Sequence, residues 1–310
     1  MKIASIILVL FLTIFMISCT TQRNSTQGVI EIKQGPTKSL VWPVWSPSGD
    51  KIVSSNIMSS EHRSTLYVID LNNYKKTAIL TIEGEAIAQS WSVDGENIAV
   101  AISQSMTFPN EGIWVFNITN DSHYFVGAGE AAVWSPDGKQ LAIFSCTQLS
   151  DGNSTSATIR VVDLAKNEEE ILFKESSCLK LAYMSWAADN KNIAFSFSED
   201  STTNNHLDRI FVIDLPTKEV RQILDEGSWS PSFSPTDGRL IFVKNYSLGV
   251  TDRAGKCPFE IKDLGTDIVG DVSWSPDGKR WAVSGLGKIY IIDVESFMSE
   301  ALLQSNITCP

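Results

Sequence analysis

The stretch WSPDGKQLAI, residues 134–143, is one of six copies of a phrase that decides the fold. An aromatic residue leads each copy, a turn follows it, and an apolar run ends it. In the turn, Pro pre-sets φ, Asp can bond its own backbone, and Gly can take a positive φ. Each copy therefore predicts a β-hairpin. The lead aromatics are Trp45, Trp91, Trp134, Trp186, Phe233 and Trp274.

The lead aromatics lie 46, 43, 52, 47 and 41 residues apart, which is the repeat length of propeller blades. A second phrase follows each hairpin and ends in Asp or Asn, as in LYVID (66–70) and IYIID (289–293). It predicts a third strand whose last residue begins the next turn. A weaker fourth strand follows, as in TAILTIE (77–83). We therefore predict an all-β fold, a six-bladed β-propeller of four-stranded antiparallel blades.

The fourth copy departs from the pattern at its turn, where Ala187-Ala188-Asp189-Asn190 replaces Ser-Pro-Asp-Gly. Asn adopts the left-handed backbone conformation more readily than other non-glycine residues. We therefore expect Asn190 to act as the glycine of that turn.

The hairpin phrase and the IYIID-type strand together resemble the WD40-like repeat of TolB-type propellers. The resemblance extends from about Leu40 to Leu303. It implies the propeller fold and a role in binding partner proteins of the cell envelope.

The start of the chain has the pattern of an export signal. Lys2 precedes an apolar run from Ile3 to Ile17, which is short for a membrane span and suits a signal peptide over residues 1–18. Cys19 resembles the cysteine of a bacterial lipobox, which implies cleavage before it and lipidation of it. An ordinary secretory peptide cut near Ser18 is the alternative.

Residues 19–28 are polar and predict a flexible tether, and residues 29–310 form the predicted propeller domain. We expect an extracytoplasmic protein, lipid-anchored to a bacterial membrane and touching that membrane only through the anchor. The net charge of −11 argues against a nucleic-acid partner and favours cationic partners or bound metal. We expect a monomer without a cofactor, with a divalent cation in the channel as an alternative.

Four cysteines follow Cys19 and permit three disulfide pairings. Cys146 follows the second strand of blade 3, and Cys178 precedes the first strand of blade 4. These positions belong to the same face of a propeller, so Cys146–Cys178 is the preferred bridge. The alternative is that all four are buried thiols.

A propeller must join its last blade to its first. The outer strand of blade 6 could come from residues 29–33 (VIEIK) or from residues 301–304 (ALLQ). If both pair, the blade has five strands. We expect both ends of the chain to meet at blade 6.

The sequence contains no GxSxG elbow, no P-loop and no HExxH motif. The repeated acids of the turns and strand ends are best explained as turn formers, because the same residue type recurs in every blade. Two of the three histidines, His62 and His206, fall in loops on opposite sides of a six-fold ring, which argues against a shared metal site.

Functional residues are expected where the repeat is broken. Aromatic and acidic residues stand just before or early in the first strand of several blades, where side chains can reach the mouth of the central channel. Such a set would suit a cationic peptide, a sugar or a divalent ion. The alternative is that the aromatics pack between blades and the acids are solvated loop ends. The set is Trp42, Glu85, Glu130, Tyr183, Glu226, Trp229 and Asp271.

Polar insertions at residues 147–157 and 198–208 offer a second surface on the same face. Three functions follow from these features. The first is a tethered, non-catalytic scaffold that binds an envelope protein or peptide. The second is binding of a small ligand at the channel mouth, and the third is a hydrolase or lyase site within the ring.

Overall fold

A computed structural model describes residues 29–32, 40–58, 61–150, 155–176, 183–197, 208–256, 258–261 and 270–295. The strands of these residues form six separate four-stranded antiparallel sheets, arranged as the blades of a propeller. In chain order they are β1 (Val29–Ile32), β2 (Leu40–Trp45), β3 (Lys51–Met58), β4 (Arg63–Asp70), β5 (Lys76–Glu83), β6 (Glu85–Trp91), β7 (Asn97–Ser103), β8 (Gly112–Asn117), β9 (His123–Gly127), β10 (Ala131–Trp134), β11 (Gln140–Gln148), β12 (Thr155–Asp163), β13 (Glu168–Glu175), β14 (Met184–Trp186), β15 (Asn192–Phe197), β16 (Arg209–Asp214), β17 (Val220–Leu224), β18 (Ser228–Phe233), β19 (Leu240–Lys244), β20 (Ser247–Thr251), β21 (Phe259–Ile261), β22 (Val272–Trp274), β23 (Arg280–Gly285) and β24 (Lys288–Asp293).

Blades 1 to 5 each take four consecutive strands, from β2–β5 in blade 1 to β18–β21 in blade 5. The first strands contact one another in blade order, and β22 of blade 6 contacts β2 of blade 1, which closes the ring. The predicted six-bladed fold is confirmed.

Blade 6 is completed by the N-terminal strand. The order of its strands is β1-β24-β23-β22, and Val29 pairs with Ile292 while Ile32 pairs with Ile289. The first of the two predicted modes of closure is thus present. Residues 301–304 lie outside the described residues.

The six hairpin turns owe their shape to a residue with positive φ. Five glycines and Asn190 take this conformation, as the turn chemistry predicts. The residues and their φ values are Gly49 (72°), Gly95 (74°), Gly138 (72°), Asn190 (60°), Gly238 (73°) and Gly278 (69°).

The lead aromatics pack between blades, with relative exposures of 5–8%. The Trp91 indole donates to the Val44 carbonyl of the preceding blade at 3.1 Å. Across the ring junction, the Trp45 indole donates to the Ser273 carbonyl at 3.3 Å, and the Arg280 guanidinium lies 4.7 Å from the centre of the Trp45 ring. The core is therefore divided among the interfaces between neighbouring blades.

Candidate functional site

The first strands of the six blades surround a central cavity of about 350 Å³. In five blades its wall extends from the residue three positions before the lead aromatic to the residues that begin the hairpin turn, and in blade 3 it begins at Val133. Val93 in one of these turns is 54% exposed. The cavity thus opens at the turns, and the residues three positions before the lead aromatics line its opposite end.

Serines directly before the lead aromatics join one blade to the next. The innermost strand of each blade has no further strand beside it, so its backbone N–H groups need other acceptors. Ser185 and Ser232 accept hydrogen bonds from the backbone of Phe233 (2.9 Å) and Trp274 (3.2 Å) in the following blade. Ser273 donates to the Pro43 carbonyl at 2.7 Å across the ring junction. These cavity-lining hydroxyls therefore stabilise the ring.

The residue three positions before each lead aromatic differs in size and charge between blades. Blades 1, 4 and 6 carry Trp42, Tyr183 and Asp271 at this position. The equivalent residues of blades 2, 3 and 5 are the small Ala88, Ala131 and Ser230. The three large or charged side chains meet at the floor of the cavity, and we call them the floor cluster.

Trp42 crosses the channel. Its indole N–H donates to the Tyr183 hydroxyl at 3.3 Å. Blades 1 and 4 face each other in a ring of six, so the Trp42 and Tyr183 side chains together bridge the channel. A β-bulge between Val41 and Val44 and a φ of 51° at Trp42 direct the side chain inward.

Asp271 is held by donors from two blades. Its Oδ2 accepts hydrogen bonds from the Trp42 backbone N–H at 3.3 Å and from the Ser284 hydroxyl at 2.9 Å. The Ser284 hydroxyl oxygen in turn accepts from the Asp271 backbone N–H at 2.8 Å. The Asp271 side chain is fixed in place with only 7% of the residue exposed.

Burial changes the protonation of the floor cluster. Desolvation raises the pKa of Asp271 above its usual value, although hydrogen bonds from Tyr183, Ser284 and the Trp42 backbone oppose the shift. Desolvation also raises the pKa of Tyr183 well above its usual value, and the neighbouring Asp271 charge adds to the shift. Tyr183 is therefore a neutral hydrogen-bonding group.

Of the seven predicted site residues, the structure brings Trp42, Tyr183 and Asp271 together. They form the floor of the cavity, whereas the prediction placed them at its mouth. The difference arises because the cavity opens toward the hairpin turns.

Trp229 lies between blades 5 and 6 rather than in the channel. It is 8% exposed, its indole donates to the Gly270 carbonyl at 2.8 Å, and its ring packs edge-on against Tyr246. Trp229 stands four positions before its lead aromatic, one residue away from the position that faces the channel. This corresponds to the packing alternative for the aromatics.

The three predicted glutamates also lie outside the cavity wall. Glu85 accepts a hydrogen bond from the Ser103 hydroxyl at 3.1 Å, and Glu130 accepts from the Cys146 backbone at 2.8 Å. Glu226 forms an ion pair with Arg209 at 2.5 Å. These acids serve local contacts at the starts of their blades.

The repeated turn acids have the structural role that their repetition predicts. The Asp137 carboxylate accepts hydrogen bonds from the Ser135 hydroxyl at 2.7 Å and from the Lys139 backbone at 3.1 Å. His62 is exposed next to β4, and the His123 ring stacks on Phe116 with centroids 5.2 Å apart. His206 lies outside the described residues.

Cys146 is disulfide-bonded. The other cysteines, including Cys19 and Cys178, lie outside the described residues, as do residues 151–154 and 198–207 of the two polar insertions. The Cys146–Cys178 pairing and the lipidation of Cys19 stay predictions.

Within the described ranges, no three His, Cys, Asp or Glu side chains are grouped as a metal ion would require. The same residues contain no helix with the length and hydropathy needed to span a bilayer.

The floor cluster has a signal in the sequence that the prediction did not use. Aligning the copies on their lead aromatics shows that Trp42, Tyr183 and Asp271 occupy one register position. Glu85, Glu130 and Glu226 stand six, four and seven positions before theirs. The register relative to the lead aromatic separates the residues that face the channel from those that do not.

The chain is similar to a curated protein in sequence and to several solved structures in fold. No family model matches the chain. A dipeptidyl-peptidase 5 of Porphyromonas gingivalis is 31% identical over 174 residues, which cover 53% of this chain but 24% of the peptidase. The chain thus spans about a quarter of that curated relative.

Solved structures match over more of the chain. TolB from Acinetobacter baumannii has a TM-score of 0.57 at 22% identity, covering 71% of this chain and 53% of TolB. A putative TolB from Agrobacterium tumefaciens has a TM-score of 0.59 at 19% identity, covering 86% and 96%. An oligogalacturonate lyase from Vibrio parahaemolyticus has a TM-score of 0.56 at 13% identity, covering 88% and 96%. These likenesses show that the chain has the six-bladed β-propeller fold found in the TolB structures.

Proposed function

We propose that this chain is a non-catalytic interaction scaffold of the cell envelope, which binds a protein or peptide partner by taking a short segment of it into the central cavity. The floor cluster is the observation that supports this role. The repeat is broken at one register position in three blades, and the three side chains concerned meet in one cavity. Fold alone does not assign a function, so the proposal rests on this site.

The composition of the cavity wall favours binding over catalysis. Its described residues are mostly Ser, Pro, Val, Trp and Phe, and Asp271 is the one carboxyl group among them. A glycosidase site, by comparison, uses a pair of carboxyl groups at a set separation. A peptidase and a lyase are among the similar proteins. An activity screen is therefore the appropriate check on the proposal that the scaffold is non-catalytic.

We also propose that the scaffold is extracytoplasmic and tethered through lipid on Cys19. This part rests on the leader pattern of residues 1–18 and on the polar residues 19–28. A tethered propeller would hold its cavity within reach of envelope partners.

Filling the cavity tests the proposed mode of binding. Val133 lines the wall midway between floor and mouth and is partly exposed to the cavity. We expect Val133→Trp to occupy the space of the incoming segment, and therefore to abolish capture of envelope proteins that the wild-type chain retains. Ile171→Trp is the matched control, because Ile171 is 62% exposed on the outer strand of blade 3.

Both variants are compared with the wild-type chain by circular dichroism and thermal melting before capture is measured. Retention of the same partners by the folded Val133→Trp variant would contradict binding in the cavity.

A second function, binding of a free small molecule, is favoured by the size of the cavity. Its volume of about 350 Å³ lies at the lower end of the range of ~300–1,000 Å³ for small-molecule sites. Thermal stabilisation of the wild-type chain by a sugar or small peptide, absent in Val133→Trp, would support this function.

A further inference from the structure

The charge of the cavity is unbalanced. Asp271 is the one carboxyl among the described lining residues, and Lys, Arg and His do not contribute to that part of the wall. A buried carboxylate is normally paired with a cation or fully hydrogen-bonded, because its desolvation is costly. Asp271 has no cationic partner among the described residues of the wall.

Hydrogen bonds use only part of the acceptor capacity of Asp271. An ionised carboxyl group offers about four lone-pair positions. The Trp42 backbone and the Ser284 hydroxyl both donate to Oδ2, and Tyr183 is the third group that hydrogen-bonds the carboxylate. One acceptor position is left for a further donor.

Aromatic rings stand beside this carboxylate. Trp42 and Tyr183 line the cavity at the same level as Asp271 and are linked to each other by a hydrogen bond of 3.3 Å. The faces of aromatic rings attract ammonium and guanidinium groups. A carboxylate and two aromatic rings at the closed end of a cavity suit an organic cation.

The depth of the cavity indicates which kind of ligand could place a cation at its floor. Ser46 at the turn stands four positions after Trp42, which corresponds to roughly 13 Å of strand at about 3.3 Å per residue. A cation at the floor would therefore be at the end of a flexible chain or a short peptide segment.

We propose that the floor cluster is a binding site for the basic side chain, lysine or arginine, of the segment that enters the cavity. Asp271 is its counter-ion, and Trp42 and Tyr183 are its aromatic walls. This inference rests on the proposed function and adds the chemical class of the bound group.

Two peptides of equal length test the inference on the full chain in detergent. Acetyl-Gly-Gly-Lys-amide carries the ammonium group, and acetyl-Gly-Gly-norleucine-amide has a similar apolar stem without the charge. We expect the lysine peptide to bind at least about tenfold more tightly by calorimetry, a difference of ~1.4 kcal/mol. Equal affinities, or no saturable binding of the lysine peptide, would overturn the inference.

Asp271→Asn removes the charge and keeps an oxygen that can accept from Trp42 and Ser284. We expect this variant to lose the preference for lysine while it still melts cooperatively. Glu85→Gln is the matched control, since it removes one negative charge outside the cavity wall, and it should keep the preference. A preference that persists in Asp271→Asn would refute the role of Asp271.

The test of the cation site and the test of the proposed function can give different results. If Val133→Trp blocks partner capture but lysine has no advantage over norleucine, the scaffold function stands and the cation site does not. If Val133→Trp leaves capture unchanged, binding in the cavity itself is refuted.

Discussion

Aspartate has two opposite roles in this propeller, and its surroundings decide which. At the turns, hydrogen bonds to Ser135 and to the Lys139 backbone lower the pKa of Asp137. At the channel floor, desolvation raises the pKa of Asp271. The first carboxylate is stabilised by folding, whereas the charge of the second is destabilised by it.

Replacing Asp137 by Ala should destabilise the protein by about 1 kcal/mol, since two hydrogen bonds of the turn are lost. Because the folded pKa is lowered, this contribution is present at neutral pH and is lost as the pH falls through the folded value, below 3.8. Urea denaturation at neutral pH and at about pH 3 measures both effects. Asp137→Asn keeps the acceptor oxygen and should lose less, and a larger loss in Asn than in Ala would contradict this explanation.

Replacing Asp271 by Asn should stabilise the protein at neutral pH. The folded pKa of Asp271 is raised, so its favourable contribution is complete below the unfolded value of about 3.9 and is lost as the pH rises through the folded value. Thermal melting from pH 4 to 8 should show a gain of a few °C at the upper end, which shrinks toward pH 4. A variant that melts below the wild type at pH 7 would show that the charge is compensated in the folded chain.

At the scale of the strands, the conformations of the turns were predictable from the local sequence. The direction in which individual side chains point was harder to predict. The turns could be read from the sequence because Pro, Asp and Gly act within four residues, and even Asn190 was identified as the left-handed residue of its turn. The bulge that directs Trp42 inward contains Pro43, and blade 5 has a similar bulge at Pro231. Because both aromatics stand beside such a bulge, Trp42 and Trp229 look alike locally, and only their register relative to the lead aromatic distinguishes the channel-facing side chain from the interblade one.

The N-terminal strand provides a test with an internal control. Ile32 is 3% exposed and packs in a core cluster with Leu40 and Trp45, whereas Ile30 on the same strand is 44% exposed. We expect Ile32→Lys to lower the free energy of unfolding by roughly 2–5 kcal/mol, because it removes a buried side chain and places a charge in the core. Ile30→Lys should cost less than about 0.5 kcal/mol.

Chemical denaturation of both variants measures these differences. Equal stability of the two would mean that β1 does not close blade 6 as described.

At the scale of the whole molecule, the repeat accounts for the scaffold, and its exceptions account for the candidate site. Six near-equal units specify a ring because each blade must bury its faces against neighbours. The identity of a partner is not contained in the repeat. In the proposed function it depends on how side chains from blades 1, 4 and 6 combine across the channel, and only the assembled ring brings them together.

The predicted lipid anchor concerns the whole molecule, because it determines where in the cell the propeller is located. Cys19→Ala should abolish incorporation of labelled palmitate and move the protein from the membrane fraction to the soluble fraction. Cys309→Ala is the matched control and should remain with the membrane. Continued membrane association of Cys19→Ala would contradict lipid anchoring at this residue.

The pairing of β1 with β24 also sets the order in which the protein can mature. Strand β1 is synthesised before the other described strands and must wait for β24, the last of them, before its edge is covered. A chain whose synthesis stops before Lys288 would keep five blades and an uncovered edge, open to aggregation and proteolysis. Only polypeptides synthesised as far as β24 can seal the ring, so the closure itself discriminates against products truncated before that strand.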